Sequence, residues 1–218
     1  MTTIPSINKS TLVLISGCTK GLGLELFHQF HEYTCICINR RQFKSTDIVI
    51  DLSKSHINLN ILKNLFEKFQ TIIYINNAST IEPIKEIKDI EENDLEYTTN
   101  LNFLNPSKII LSILKLQKKF MIINITTGAA FTSNTKLALY SATKAAMHRY
   151  IDILKQEEID NKEALFIDNF DPGRMQTDMQ KTLISEKNLA DTPNLLTSPS
   201  IVAQELFMLI KKELHGKY

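Results

Sequence analysis

The sequence predicts an α/β protein: a doubly wound parallel sheet of about six strands, in three αβα layers, forming a single domain over residues 1–218. Short runs rich in Val, Ile and Leu alternate with longer amphipathic stretches, the pattern of βαβ units whose sheet is buried on both faces. A glycine-containing turn directly follows the first of these runs and opens the first amphipathic stretch. A chain of 218 residues with 43% hydrophobic content suits one core, because chains split into separate domains mainly above roughly 250 residues.

Taken in order, strands are predicted at residues 11–15, 34–39, 48–51, 71–76, 120–125 and 164–170. Helical periodicity covers 21–33, with Leu22, Leu26 and Phe30 on one face, and then 57–69, 94–116, 137–160 and 200–215. Only the polar link 42–47 separates the second strand from the third, too little for a crossover helix, so a turn must serve. Residues 175–199 are polar, contain Pro193 and Pro199 and lack strong periodicity, and they read as a mobile loop over a substrate pocket. After the last helix too few residues remain for a seventh strand.

The 25 basic and 24 acidic residues nearly cancel, so no basic field gathers nucleic acid or anionic lipid, and the expected partners are small molecules. The first apolar run is too short for a secretory signal and none is long enough to span a bilayer, so a cytoplasmic protein is expected. Cys18, Cys35 and Cys37 are too few for a disulfide scaffold, and no structural disulfide is expected. His28 and His31 lie three apart on a helix without a third ligand at a suitable spacing, and no metal is expected.

Ser16-Gly17-Cys18-Thr19-Lys20-Gly21-Leu22-Gly23 runs from the first strand into the first helix, the context a dinucleotide-binding turn requires. Glycine there lets the backbone turn tightly against a pyrophosphate, whose charge the helix N-terminus attracts. Arg40 and Arg41 close the second strand, where such folds read the adenosine ribose. An acidic residue would accept from a free 2'-hydroxyl, whereas two guanidinium forks suit a 2'-phosphate; NADP(H) is therefore favoured over NAD(H). Lys20 adds a second cation near that phosphate.

Tyr140 and Lys144 stand at i and i+4 on one helix face. A phenol near its reference pKa of about 10 is a poor acid–base catalyst at neutral pH, and a cation one turn away favours its ionised form. On spacing alone, a surface Tyr and Lys explains the pair as well.

The chain resembles the short-chain dehydrogenase/reductase family over nearly its full length. Gly17, Gly21 and Gly23 match its Thr-Gly-x-x-x-Gly-x-Gly pattern with Ser16 for the threonine, and Asn76-Asn77-Ala78-Ser79 resembles its Asn-Asn-Ala-Gly motif. Asp51-Leu52 sits where that family contacts adenine, Tyr140 and Lys144 match its Tyr-x-x-x-Lys, and Asp171-Pro172-Gly173-Arg174-Met175-Gln176-Thr177 resembles the segment beside its nicotinamide.

The resemblance implies a Rossmann-type sheet in the order 3-2-1-4-5-6. It also implies cofactor contacts from Asn77, Ala78, Pro172, Gly173, Met175 and Thr177, and carbonyl reduction with Tyr140 as acid. Thr127 stands where the family has its serine, keeping the hydroxyl but adding a β-methyl. Asn102 fits the family's helical asparagine by pattern, while Asn100 fits its spacing to Thr127. Residues 125–130 with Ala138-Leu139-Tyr140 look most like the sepiapterin reductase and benzil reductase branch.

Ile109, Ile110, Ile113 and Leu114, and Met147, Ile151 and Leu154, read first as core; in this family the corresponding two helices commonly form a subunit interface, so surplus apolar surface on them implies a homodimer or homotetramer. A non-catalytic redox sensor and a 3-oxoacyl-carrier reductase remain the rival readings. A sugar-nucleotide epimerase would need a larger C-terminal domain.

Overall fold

The computed structural model describes residues 10–45, 47–186 and 196–215. Six parallel strands form one sheet in the order β3-β2-β1-β4-β5-β6, as expected. They are β1 (Thr11–Ser16), β2 (Thr34–Asn39), β3 (Ile48–Val49), β4 (Thr71–Asn76), β5 (Lys119–Ile125) and β6 (Ala164–Phe170). Side chains alternate across the strands, so β1 sends Leu12 and Leu14 to one core and Val13 and Ile15 to the other. The remaining central strands alternate likewise, which is why their sequences are continuously apolar.

One face is covered by α1 (Gly21–Gln29) and α7 (Pro199–His215), through Leu22 and Leu26 of the first, with Phe30 just past its end, and Val202, Leu206 and Ile210 of the second. The other is covered by α2 (Asn60–Phe66), α4 (Asn105–Leu114) and α5 (Ala138–Glu157). Ile109, Ile110, Ile113, Met147, Ile151 and Leu154 all belong to this second core.

The single helix expected over 94–116 is in fact three pieces: α3 (Glu92–Thr99), a π-helical turn over Asn100–Leu104, and α4. Pro106 supplies the physical reason, because it has no N–H to donate to the carbonyl of Asn102 four residues earlier, and the helix widens there. The link from β2 to β3 is a turn, as its length requires. Asp47 Oδ2 holds it by accepting from Phe43 N and Lys44 N, both at 2.8 Å, and from Asn39 Nδ2 at 2.9 Å.

Two expectations are corrected. Within the stretch read as a loop, Asp178–Glu186 forms a helix, α6. Its two turns carry only Met179, Leu183 and Ile184 as apolar residues, too short a pattern for periodicity to reveal. Thr177 caps it, Oγ1 accepting from Gln180 N at 3.3 Å, and the Thr-x-x-Gln spacing was a readable start signal. Residues 187–195 of that stretch, and 216–218, too few for the seventh strand, lie outside the described residues.

Cys18 and Cys37 form a disulfide, whereas free thiols were expected. The register pairs Ile15 with Cys37, and the turn after β1 folds back so that Cys18 N donates to Asn39 Oδ1 at 2.9 Å. The two Cα atoms then stand 6.0 Å apart, within bridging reach. Cys35 is free, and burial pushes its thiol up to about 12.

Candidate active site

The neighbours of β1 in the sheet, β2 and β4, leave in opposite directions along the chain order, and this reversal opens a crevice beyond the carboxyl ends of the strands. A cleft of about 620 Å³ lies there, lined by Gly17, Thr19, Lys20, Arg40, Arg41, Asp51, Leu52 and Ala78 among others.

The turn at its base is held by Asn77. Asn77 Nδ2 donates to Ser16 O and Gly17 O, both at 2.9 Å, while Ser16 Oγ accepts from Asn77 N and Ala78 N at 3.0 Å. Ser16 thus has a structural task that its place in the motif did not reveal. Gly17 and Gly21 have φ of 76° and 59°, the left-handed region that favours glycine. A Cβ on Gly23 would lie 2.1 Å from Gly17 O, so the helix start can sit against the turn only with glycine.

The predicted cofactor residues divide by what they do. Arg40 and Arg41 are exposed and line the cleft without an ion pair among the described residues. Lys20 instead pairs with Asp178 of α6 at 3.1 Å, so its side chain spans from the turn to that helix. Leu22 points into the core. Asp51 Oδ1 is taken by Ser53 N and Oγ at 3.0 and 2.6 Å.

Pro172, Gly173, Met175 and Thr177 do not line the cleft. Met175, half-buried, packs against the core, and Thr177 caps α6 with its methyl near Gly21. The glycine turn, free guanidinium groups and open cleft fit a dinucleotide.

Tyr140 and Lys144 are both buried on the sheet-facing side of α5. Thr127 acts on the phenol, and its Oγ1 accepts from Ala129 N at 3.3 Å. Lys144 Nζ donates to Ile125 O at 2.8 Å. Burial lowers the ammonium to about 8, against a raising effect of the Asp171 charge. The phenol is raised, chiefly by burial and further by Asp171, while the Thr127 hydroxyl works the other way. Contrary to the expectation from the i, i+4 spacing, Lys144 does not lower this phenol in the protein alone: its ammonium is turned to a carbonyl, and burial dominates.

Asn102 is also gathered in. Its Oδ1 accepts from Thr80 N at 2.9 Å, and its Nδ2 donates to Thr80 O at 3.0 Å and to Thr143 Oγ1 at 3.1 Å, next to Lys144. Asn100 instead donates to Ser53 O at 3.2 Å. Asn102 therefore links the cleft loop to α5, and Asn100 does not.

A polar chain backs the site. Asn76, Asn124 and Asn169 are in register on β4, β5 and β6, and each passes an amide hydrogen bond to the next at 2.9 and 2.8 Å. The chain ends where Asn169 Nδ2 donates to Asp152 Oδ1 at 2.9 Å. Asp152 faces His148, whose Nδ1 lies 3.1 Å from Thr126 Oγ1. The strand end that carries Thr127 is thus tied to α5.

A tight glycine turn at the reversal point of a doubly wound sheet marks the dinucleotide-binding class of α/β proteins. Residues 11–188 match the family model for short chain dehydrogenase, and the chain belongs to that family of oxidoreductases. A benzil reductase ((S)-benzoin forming) of Bacillus cereus is 28% identical over 92% of this chain and 94% of its own.

Among solved structures, 4-hydroxyisoleucine dehydrogenase complexed with NADH has a TM-score of 0.75 at 20% identity, covering 96% of this chain and 92% of that one. ElxO with NADP bound has a TM-score of 0.74 at 19% identity, covering 92% and 91%. No helix among the described residues is long and apolar enough to cross a membrane.

Proposed function

We propose that the chain, acting as one domain over 1–218, is an NADP(H)-dependent carbonyl reductase that converts a ketone or diketone to an alcohol. The observation that carries this reading is the pair Tyr140 and Lys144, buried one turn apart with Thr127 at the same strand end, and packed behind Ile81 and Met179, which line the cleft that Arg40 and Arg41 border. The likeness to a benzil reductase supports a ketone substrate. Bound in the cleft, the nicotinamide would supply the hydride.

The chain's own residues do the rest. The glycine turn and Asn77 hold the pyrophosphate end, and Arg40 and Arg41 grip a 2'-phosphate. Asp51, Leu52 and Ala78 flank the adenosine side, and Pro172, Gly173, Met175 and Thr177, set back from the cleft, hold in place the loop from β6 to α6 on the nicotinamide side. Thr127 donates a hydrogen bond to the carbonyl oxygen, and Tyr140 gives it a proton. Lys144 stabilises the resulting phenolate, and Asn102 braces α5 beside it.

Leu104 and Leu111 near α4 and Ile153 on α5 stay exposed, which supports a homodimer or homotetramer across these helices. A cytoplasmic protein is part of this reading; the Cys18–Cys37 bridge is the feature at odds with it, since reducing compartments disfavour disulfides.

Fluorescence titration of NADPH and NADH, with turnover of benzil, tests the reading. Tyr140→Phe is expected to abolish turnover while NADPH binding stays within about twofold. Equal loss of both would make Tyr140 a structural residue, and preference for NADH would remove the role of Arg40 and Arg41.

A further inference from the structure

Asp171 is the first residue beyond β6. Phe170 before it pairs with Ile125 and accepts from Thr126 N at 2.9 Å, and Ile125 O is the anchor of Lys144 Nζ. This places Asp171 at the strand end that carries Thr127 and the lysine anchor. Its Oδ1 accepts from Gly173 N at 2.9 Å, which ties the carboxylate to the turn. The residue is exposed, with no ion pair among the described residues. Its charge acts on both Tyr140 and Lys144.

A hydrophobic cluster surrounds Tyr140. Ile81 and Leu137 pack against it, with Ile84, Ala129, and Met179 and Leu183 of α6 around them. A carbonyl brought to the phenol therefore meets these hydrocarbon walls, with the Thr127 hydroxyl, the Lys144 ammonium and the Asp171 carboxylate at the strand ends beside them.

We propose that Asp171 is a specificity residue that restricts this site to apolar ketones and diketones that are neutral or cationic beside the carbonyl, and turns away 2-oxo and 3-oxo carboxylates. This rests on the carbonyl-reductase reading of the same site. Two like charges about 6 Å apart at an effective dielectric of about 40 repel enough to change kcat/KM about tenfold. Salt weakens the effect at so exposed a carboxylate.

The test uses benzoylformamide and benzoylformate, two ketones alike in shape and different in charge, with NADPH and the whole protein. The amide-to-acid ratio of kcat/KM is compared between the native enzyme and Asp171→Asn, which keeps an oxygen for Gly173 N. That ratio is expected to fall about tenfold at low salt, with NADPH affinity within about twofold, and to fall less as salt rises. Asp171→Ser repeats the measurement should the asparagine variant fail to fold.

Reduction of the amide with a ratio that neither variant alters would overturn the role of Asp171 and leave the carbonyl-reductase reading standing. Failure to reduce the amide, the acid and benzil alike would overturn both.

Discussion

Replacing Gly23 by alanine puts a methyl group where the structure has room for none. Its Cβ would lie 2.1 Å from Gly17 O and 2.5 Å from Asn77 Nδ2, and contacts under 3.0 Å force something to shift. Neither neighbour is a free side-chain end: one is backbone, and the other is the amide that clamps Ser16 and Gly17. Moving α1 away breaks the clamp, and moving Asn77 breaks the same two hydrogen bonds.

Overpacking of this kind costs roughly 1–3 kcal/mol, and loss of a buried hydrogen bond adds about 1 kcal/mol. A loss of about 3 kcal/mol corresponds to a fall in Tm of roughly 6–12 °C for a chain of this size. Misplacing the amides that face a pyrophosphate is expected to weaken NADPH binding about 100-fold, which is about 2.7 kcal/mol. Thermal denaturation and fluorescence titration measure the two effects. Gly128→Ala is the control, because its Cβ would meet nothing within 4 Å and Tm should hold or rise. An alanine at position 23 that binds NADPH as tightly as glycine would refute the packing argument and the cofactor turn built on it.

Two further predictions follow from burial and from the cysteines. Because Lys144 is lowered to about 8, kcat/KM for NADPH, which reports the free enzyme, should decline above that pH. A profile flat to pH 10 would contradict it. The sign for stability runs the other way: between about 8 and 10.5 the unfolded chain holds the proton that the folded one has released, so this group makes the protein more stable as pH rises through that window. Alkylation in denaturant without reductant should label Cys35 alone, and all three cysteines once the Cys18–Cys37 bridge is reduced. Reduction should cost about 3 kcal/mol, the loop-closure value for a loop of this size. Three labelled cysteines before reduction would remove the bridge.

Much of the fold is legible because each of its signals is local. Continuous Val, Ile and Leu runs state that a strand is covered on both faces, and every predicted strand lies within two residues of the observed one or contains it. The glycine turn is legible for a similar reason, since its position between strand and helix is a matter of neighbours in the chain. The π turn after Thr99 and helix α6 were missed, although Pro106 and Thr177 with Gln180 carried signals for both. Each is a short device set by one proline or one cap, and periodicity averages over such features.

What required the tertiary structure is whatever depends on residues distant in sequence. Tyr140 and Lys144 were readable as a pair because a helix turn separates them. Their ionisation was not, since burial under α6 and the carboxylate of Asp171 set it. Asn102 could be told from Asn100 only by seeing which one reaches Thr80 and Thr143. Cys18 and Cys37 stand 19 residues apart, and only the register of β1 with β2 brings them within reach. The sequence by itself determined the sheet, its two cores and the residue types available for chemistry, because pattern and local geometry suffice for those. The tertiary structure decided which of these groups meet and what charge they carry, because desolvation and electrostatic contact depend on distances in space.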